Sequence, residues 1–434
     1  MIGMNYKLQK LEEEGKPILA GIVGAGQMGR GMVGQMLSMK GMRPAVVVDV
    51  NIENAKNAYI HAGLKEGTDF VEAYTIADAE KVLAEGKFIV TDNNEIVTKT
   101  SLIDCAVDAT GVPEVGAKVA VDAINNKKHI VMLNVETDVC IGHILYKMAN
   151  NAGVVYTGSA GDEPGAVIEM FDFAEALGFD VRVVGKGKNN ALDLECNPDT
   201  VAEIARQKGS SPKMITAFKD GTKTMVEMTA MANATGFLPD VVGGHGASGT
   251  VKDLPDLLSL KSEGRGGILN NYKVIDFING VAPGVFIIIS TDQPDILHEL
   301  NYLSMGEGPN FCLYRPYHLT SLETPLSVAK ACIDHEPTIV PRKGLVAETV
   351  TVAKRDLKKG ENLDGIGGYT IRGTFMAAKE AKELNCLPMG LVNKNTVVTR
   401  DIKKGEYITY NDVVLDEKSL MVQLRKLQDA LFLD

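Results

Sequence analysis

The sequence predicts an α/β protein that begins with a doubly wound parallel sheet. Three observations lead to this fold class. Short apolar stretches alternate with stretches of helical periodicity through about residue 155, a glycine cluster follows the first apolar stretch, and an aspartate follows the second. Parallel strands need crossover connections, and the helical stretches supply them. The alternation therefore assigns residues 1–155 to one sheet and its covering helices.

The first element is an apolar strand from Ile18 that runs into Gly24, Gly26 and Gly29, followed by a helical pattern. The spacing is G-x-G-x-x-G, as in the strand, turn and helix that bind a dinucleotide in Rossmann domains. The first glycine permits the turn, the second lets backbone approach a pyrophosphate, and the third lets helix pack on strand. The pyrophosphate would lie at the positive end of the helix, and Gln27 and Met28 are expected to bind the cofactor together with these glycines. The alternative is a purely structural glycine turn.

The second strand, residues 45–48, is followed by Asp49, which lies twenty positions after Gly29. A carboxylate at about this distance accepts hydrogen bonds from the adenosine ribose and repels a 2′-phosphate. The residues themselves therefore favour NAD over NADP. The alternative for Asp49 is a helix-capping or turn residue.

Two later strands end in polar residues. The stretch 105–108 runs into Thr110 and Gly111, and the stretch 129–133 runs into Asn134. Ligands of open α/β sheets bind at the carboxyl ends of the strands. We therefore expect these three residues near the nicotinamide.

Residues 156–345 are predicted to form an α+β substrate and oligomerisation domain. Its strand at 181–184 is expected to end in a flexible, electropositive turn, residues 185–190, with the sequence GKGKNN. Lys186 and Lys188 could hold an anion or donate a proton to a carbonyl, and Asn189 would contact the substrate. The alternative is a solvated basic turn.

Two further stretches of this domain carry candidate site residues. In YRPYH, Arg315 offers a bidentate fork for an anion, Tyr317 adjoins it, and His318 is a candidate acid or base. His245, in GGHG, has small neighbours that would let a substrate approach. Either histidine could instead be structural.

Acidic residues could hold a divalent cation. Asp162 and Glu163 are adjacent, and Asp193 and Glu195 follow further on. Carboxylate oxygens suit Mg²⁺ or Mn²⁺. Because this spacing is not diagnostic, solvated turn acids are the alternative.

Residues 346–434 are predicted to form a small β-rich module with an internal repeat. The stretch 354–361 reads KRDLKKGE and the stretch 399–406 reads TRDIKKGE, at an offset of 45. Two copies indicate a pseudo-symmetric module. Solvated turns at strand ends are favoured over phosphate binding.

Composition limits the remaining possibilities. The chain has 434 residues, 45% hydrophobic and 23% charged, with a net charge of -11. This length predicts two or three domains, and the negative charge argues against a nucleic-acid partner. The six cysteines lack C-x-x-C spacing and indicate reduced thiols. With neither a signal peptide nor a membrane-spanning stretch expected, the predicted location is cytoplasmic.

Several motifs together resemble predicted homoserine dehydrogenases that carry a C-terminal SAF domain. The motifs are GAGQMG, DATGVPEVGA, LNVETDV, GSAGDEPGA, GKGKNN, LYRPYHL and the repeated RD-(Leu/Ile)-KKGE turns. Within that group the chain is similar to enzymes like 1-deoxy-D-xylulose 5-phosphate reductoisomerase. This resemblance implies NADPH-dependent reduction coupled to rearrangement of a phosphorylated ketose, a divalent cation and a homo-oligomer.

Two departures argue against homoserine as substrate. Homoserine dehydrogenases have V-T-A-N-K-A after the fifth strand, whereas this chain has Asn134, Val135 and Glu136 and lacks the lysine. Their later G-T-x-N segment is replaced by GKGKNN. We therefore expect an NADP- or NAD-dependent oxidoreductase acting on a small anionic polyol or sugar phosphate. A homoserine-type or sugar-acid dehydrogenase without rearrangement, and a non-catalytic dinucleotide sensor, are the alternatives.

Overall fold

The computed structural model describes residues 3–188 and 190–432, and it confirms the α/β class. The strands are β1 (Ile18–Val23), β2 (Met42–Val48), β3 (Phe70–Glu72), β4 (Phe88–Thr91), β5 (Cys105–Asp108), β6 (His129–Met132), β7 (Tyr156–Gly158), β8 (Asp180–Lys188), β9 (Val274–Asn279), β10 (Val285–Ser290), β11 (Phe311–Arg315), β12 (Ala347–Ala353), β13 (Ile371–Ala377), β14 (Val397–Val398) and β15 (Val413–Val414). The helices are α1 (Met4–Glu13), α2 (Gln27–Ser38), α3 (Ile52–His61), α4 (Ile76–Ala84), α5 (Asn94–Lys99), α6 (Pro113–Asn125), α7 (Val135–Ala152), α8 (Glu163–Ala176), α9 (Ala202–Lys208), α10 (Pro212–Lys219), α11 (Thr222–Thr235), α12 (Leu254–Leu257), α13 (Pro294–Tyr302), α14 (Thr324–Ala329), α15 (Ala378–Glu383) and α16 (Leu420–Phe432).

The first sheet is parallel throughout, as the alternation predicted. Its 7 strands lie in the order β3-β4-β2-β1-β5-β6-β7. The strand β1 pairs with β2 on one side and with β5 on the other. The strands β2–β4 are therefore added on one side of β1, and the strands β5–β7 are added on the other. The carboxyl ends of β1 and β5 therefore adjoin at the position where open α/β sheets bind ligands.

Contacts divide the described residues into two compact units, each discontinuous in sequence. Unit 1 takes in residues 3–165, 319–340 and 424–432, and unit 2 takes in residues 166–318 and 341–423. Tyr156, which opens the second predicted domain, begins the seventh strand of the parallel sheet. The three consecutive domains 1–155, 156–345 and 346–434 remain a prediction.

The core of unit 1 lies against the parallel sheet. Apolar side chains of β1, β2 and β5, such as Ile22, Val47 and Val107, are buried together with those of α2 and α14. The end of α16 packs on α7, where the Gln428 side chain accepts a hydrogen bond from the N–H of Ile144 at 3.0 Å. Segments from far along the chain thus complete this unit.

Unit 2 is built on a 4-stranded sheet with the order β11-β10-β8-β9. Successive side chains of a strand point to opposite faces. Val184 and Val285 face α8 and α11, whereas Val183 and Phe286 face the segment 254–269. The sheet is therefore covered on both faces, and its strands are apolar in both alternating positions.

Helix α11 is buried on almost every side, because the hairpin β12–β13 covers the side that the sheet does not. The hydroxyls of Thr229 and Thr349 lie 2.8 Å apart. The Asn233 side chain accepts hydrogen bonds from the N–H groups of Val346 and Ala347 at 2.9 and 3.0 Å. The C-terminal part of the chain therefore fixes this helix along its length.

The two repeated turns pair with each other. Asp356 accepts hydrogen bonds from the Lys403 ammonium at 2.8 Å and from the following N–H at 3.0 Å. Asp401 makes the same two bonds to Lys358 and its successor, at 2.8 and 3.0 Å. Because these charges neutralise one another at the surface, the contacts support the interpretation as solvated turns rather than a phosphate site.

None of the described helices combines the length and apolarity needed to cross a membrane.

Candidate functional site

The glycine loop after β1 has one open position. A Cβ on Gly24, whose φ is +100°, would lie 2.8 Å from the backbone of Ala109, and one on Gly29 would lie 1.9 Å from the Gly24 carbonyl oxygen. A Cβ on Gly26 would meet nothing within 4 Å. Gly26 is also the N-cap of α2, so the loop is open where unpaired helix N–H groups begin. Backbone packing requires the first and third glycines, and the second leaves room for a ligand.

Asp49 joins the end of β2 to this loop. Its Oδ2 accepts a hydrogen bond from the Ala25 N–H at 2.8 Å, and its Oδ1 accepts bonds from the Asn51 N–H at 2.9 Å and the Asn54 side chain at 3.2 Å. The cap of α3 is Asn51, not Asp49. The structure thus places Asp49 beside the loop, while its bond to a ribose remains a prediction.

Thr110 and Asn134 meet around a carboxylate that sequence analysis missed. Asp108, buried at the end of β5, accepts hydrogen bonds from the Thr110 N–H and hydroxyl at 3.0 and 2.7 Å and from the Asn134 side chain at 3.0 Å. Burial raises the pKa of Asp108. Asn134 also caps α7, and Gly111 has a φ of +64°. An aspartate ending an apolar strand was the available signal.

Lys186 and Lys188 lie within β8, not in the predicted turn. The glycine that precedes each lysine serves packing: a Cβ on Gly185 would lie 2.3 Å from the Phe286 ring, and one on Gly187 would lie 2.5 Å from the Ala282 nitrogen. Glycine therefore lets neighbouring chain approach the strand closely. Asn189 lies outside the described residues.

Both lysines are buried, and their ammonium groups contact residues of α10 and α11. The Lys186 ammonium pairs with the carboxylate of Glu227. Only 4% of the surface of Lys186 and 3% of that of Glu227 is exposed. The Lys188 ammonium donates to the Phe218 carbonyl at 3.0 Å and lies 3.4 Å from the Thr224 hydroxyl. Burying a charged group costs free energy unless the group is paired and hydrogen-bonded. These contacts therefore offset the cost of burying the two ammonium groups.

Glu227 was missed because its surroundings resemble core. It stands in TMVEMTAMANAT, a helical stretch that is otherwise uncharged after Lys223. A single carboxylate in such a stretch requires a cationic partner when buried. That requirement was the only sequence signal for the pair.

Arg315 projects from the same face of the sheet as Lys186. Val285 is in register with both residues, one on each side, so their Cα atoms are about 10 Å apart at the usual strand spacing. The guanidinium stacks 4.6 Å from the ring centre of Tyr317 and lies 3.6 Å from the Glu169 carboxylate. His318 follows in the same unit and is half-buried.

His245 is not brought to the two lysines. Its N–H donates to Asp276 at 3.0 Å, and its Nε2 lies 2.8 Å from the Asp240 carboxylate. Asp276 is in register with Gly185, which places its side chain on the face opposite to Lys186. These contacts fix the loop along the edge strand β9, and substrate binding by His245 remains a prediction.

The acidic candidates occupy different surroundings. Asp162 is buried just before α8, and Glu163 begins that helix half-buried. Asp193 accepts a hydrogen bond from the Glu195 N–H at 3.3 Å, and the Glu195 carboxylate pairs with Lys404. This second pair therefore forms an exposed turn, while metal binding by the first pair remains a prediction.

Comparison with known protein families gives a match to part of the chain. Residues 161–324 match the family model described as oxidoreductase DRL, catalytic domain. The matched segment contains Asp162, Lys186, Glu227 and Arg315, and the chain is an oxidoreductase rather than the non-catalytic sensor. The match does not extend to residues 346–434, so the SAF-like module remains a prediction. A comparison with curated proteins gives no match.

Solved structures give distant likenesses. A probable dehydrogenase from Thermotoga maritima is 12% identical, with a TM-score of 0.41 and coverage of 75% of this chain and 92% of the other. A myo-inositol dehydrogenase from Corynebacterium glutamicum is 13% identical, with a TM-score of 0.36 and coverage of 63% and 72%. The WlbA dehydrogenase from Bordetella pertussis, in complex with NADH and UDP-GlcNAcA, is 16% identical, with a TM-score of 0.26 and coverage of 41% and 48%.

Proposed function

We propose that this oxidoreductase transfers a hydride between a nicotinamide dinucleotide and a small anionic polyol or sugar phosphate. The observation that carries the proposal is the buried Lys186–Glu227 ion pair, because it lies inside the segment that matches an oxidoreductase catalytic domain. An ammonium group held this way is suited to proton transfer at a substrate oxygen.

The dinucleotide, NADP or NAD, fits the loop after β1. Gly26 leaves that loop open, and Asp49 lies beside it. When bound, the nicotinamide supplies or accepts the hydride. The loop would hold the pyrophosphate and Asp49 the ribose, with Thr110, Gly111 and Asn134 at the neighbouring strand ends.

Lys186 is the proposed proton donor. When a carbonyl carbon accepts a hydride, its oxygen acquires the electron pair and must take a proton to become a hydroxyl. The Lys186 ammonium would give that proton, and in the opposite direction its neutral amine would remove it. Glu227 orients the amine and stabilises its charged form.

The anionic group of the substrate would be bound by Lys188 and Arg315. Arg315 lies on the same sheet face as the proton donor, about 10 Å away, a distance that a small phosphorylated chain can span. A guanidinium offers two parallel donors to phosphate or carboxylate oxygens. Its stacking on Tyr317 holds this fork in one orientation.

The finer proposal is a reductoisomerase reaction on 1-deoxy-D-xylulose 5-phosphate, and it rests on the resemblance of the motifs. That reaction implies Mg²⁺ or Mn²⁺. Asp162 and Glu163 carry the hard oxygen ligands that such an ion prefers, and they would hold it.

The test is consumption of NADPH or NADH by the purified protein. The panel would contain deoxyxylulose phosphate, other ketose phosphates, sugar acids and aspartate semialdehyde, each with Mg²⁺, with Mn²⁺ and with a chelator. Turnover of any anionic substrate supports the oxidoreductase proposal, and turnover of deoxyxylulose phosphate supports the finer one. Turnover restricted to other substrates contradicts the reductoisomerase reaction, and turnover restricted to uncharged polyols contradicts the anion site.

A further inference from the structure

We propose that Lys354, in the first C-terminal repeat, is a positioning residue for Lys188. The inference rests on the proposed function, in which Lys188 binds the anionic group of the substrate. Lys354 lies outside the segment that matches the catalytic domain. The C-terminal part of the chain would thereby shape the substrate site without touching the substrate.

The two repeats differ at their first residue. Lys354 occupies the position that Thr399 holds in the second copy. The ammonium groups of Lys358, Lys403 and Lys404 pair with carboxylates at the surface. In contrast, the side chain of Lys354 is only 2% exposed, and its ammonium lies 2.6 Å from the fully buried Asp220 carboxylate. It also donates to the carbonyls of Cys196 and Gly368 at 3.0 and 2.9 Å. This lysine is therefore built into unit 2.

Asp220 lies at the junction of α10 and α11. Asp220 is the C-cap of α10, and its carboxylate accepts a hydrogen bond from the Thr222 N–H at 2.9 Å. Two groups that contact the Lys188 ammonium lie close to Asp220 in sequence: the Phe218 carbonyl is two positions before it and the Thr224 hydroxyl is four positions after it. These two contacts connect Lys188 to the segment that Asp220 anchors.

Lys186, unlike Lys188, is paired with a residue that lies outside the segment anchored by Asp220. Its partner Glu227 lies further along α11. That part of α11 is held by other contacts, which join Thr229 to Thr349 and Asn233 to Val346. Loss of the Lys354 ammonium removes the cation that lies 2.6 Å from the buried Asp220 carboxylate, and we expect the segment from Phe218 to Thr224 to move so that water reaches this carboxylate. We therefore expect Lys188 to be released while Lys186 remains paired.

The experiment compares Lys354→Met with Lys403→Met, which removes an exposed repeat lysine. Reductive methylation with formaldehyde and a borohydride, followed by mass spectrometry, gives the labelling rate of each lysine. In Lys354→Met we expect the Lys188 rate to rise about tenfold relative to Lys186, as loss of a charged hydrogen bond would give. In Lys403→Met the ratio stays at the wild-type value. Asp220→Asn, which keeps the shape of the side chain, repeats the test if Lys354→Met does not fold.

Steady-state kinetics separate positioning from general damage. If Lys188 binds the anionic group, Lys354→Met raises KM about tenfold or more with a smaller change in kcat, and Lys354→Arg recovers part of the loss. An unchanged labelling ratio in Lys354→Met and in Asp220→Asn would overturn the positioning role. The labelling needs no substrate, so wild-type protein without turnover contradicts the proposed function, while the labelling ratio still tests the role of Lys354 separately.

Discussion

Two stretches of this protein combine glycine with polar residues at the end of a strand, and they fold in opposite ways. In GAGQMG the strand stops, the chain turns, and Gly26 faces open space. In GKGK the strand continues to Lys188, and both glycines lie against neighbouring chain. The first stretch leaves its backbone open to a ligand, and the second buries two charged side chains.

The difference shows what glycine alone can indicate. A glycine is required where φ is positive, where a ligand approaches, or where another part of the protein does. Gly24 is of the first kind, Gly26 fits the second, and Gly187 is of the third. Only the identity of the approaching group separates these cases, and that group is remote in sequence for Gly187.

The largest expected effect is on the buried ion pair of the second stretch. Lys186→Met leaves the Glu227 carboxylate buried without its cation, and we expect a loss of about 3–5 kcal/mol in the free energy of unfolding. Turnover should fall by about 10²–10⁴-fold, as for loss of a general acid. Denaturant unfolding and NADH consumption measure the two effects.

The double variant Lys186→Met/Glu227→Met separates the two roles of this pair. We expect it to recover most of the stability, because two apolar side chains replace both charges, while turnover stays low. Recovery of turnover along with stability would show that the pair is only structural.

The glycines of the two stretches should respond differently to a methyl group. Gly187→Ala places a Cβ against the Ala282 backbone, and we expect it to lower the free energy of unfolding by about 1–3 kcal/mol. Gly26→Ala should leave the free energy of unfolding within about 0.5 kcal/mol of wild type, because its Cβ meets nothing.

The same two variants should rank in the reverse order for dinucleotide affinity. Gly26→Ala is expected to weaken NADH binding about tenfold or more, since the methyl group stands where the pyrophosphate would approach. Fluorescence titration with NADH measures it. Equal affinity in Gly26→Ala and wild type would show that the loop is not the binding site.

A smaller effect is expected at Asp49, the carboxylate of the first stretch. Asp49→Ser removes the acceptor for the Ala25 N–H and for the ribose, and we expect NADH affinity to fall about tenfold. NADPH affinity should fall less, because the repulsion of a 2′-phosphate is also removed. Asn54→Ala, which removes only one bond to Asp49, is the control, and an unchanged ratio of the two affinities in Asp49→Ser contradicts the role of Asp49.

The smallest effect is expected at the exposed lysines of the repeat. Lys403 lowers the pKa of Asp356 below its ordinary value of 3.8. A lowered carboxyl pKa stabilises the fold above pH 3.8, and the contribution is lost as the pH falls through the lowered value. Lys403→Met should therefore differ slightly from wild type at neutral pH and low salt, and not at all in acid or high salt. A large loss of stability in this variant would contradict its surface assignment.

The sequence predicted the strand, turn and helix of the first stretch because its signals are local. The strand, the glycine spacing and Asp49 lie within about thirty residues of one another, and each acts through its own backbone or its neighbours. The second stretch could not be predicted in this way. Ala282 and Phe286, which require the glycines, are about a hundred residues away, and the Glu227 partner stands in a helix that looks apolar.

The candidate site shows the same division. Thr110 and Asn134 were placed correctly at strand ends, but the buried Asp108 that joins them was not foreseen. Arg315 and Lys186 were proposed from separate motifs, and only the pairing of both with Val285 puts them on one face. Tertiary register is not written in either motif.

We propose that the glycine loop binds the dinucleotide and that Lys186 transfers the proton. The most direct measurement combines NADH binding with turnover in the Lys186→Met/Glu227→Met variant. We expect NADH to bind with the wild-type affinity while turnover of the best substrate falls by about 10²–10⁴-fold. Turnover at the wild-type rate in this variant would contradict the account.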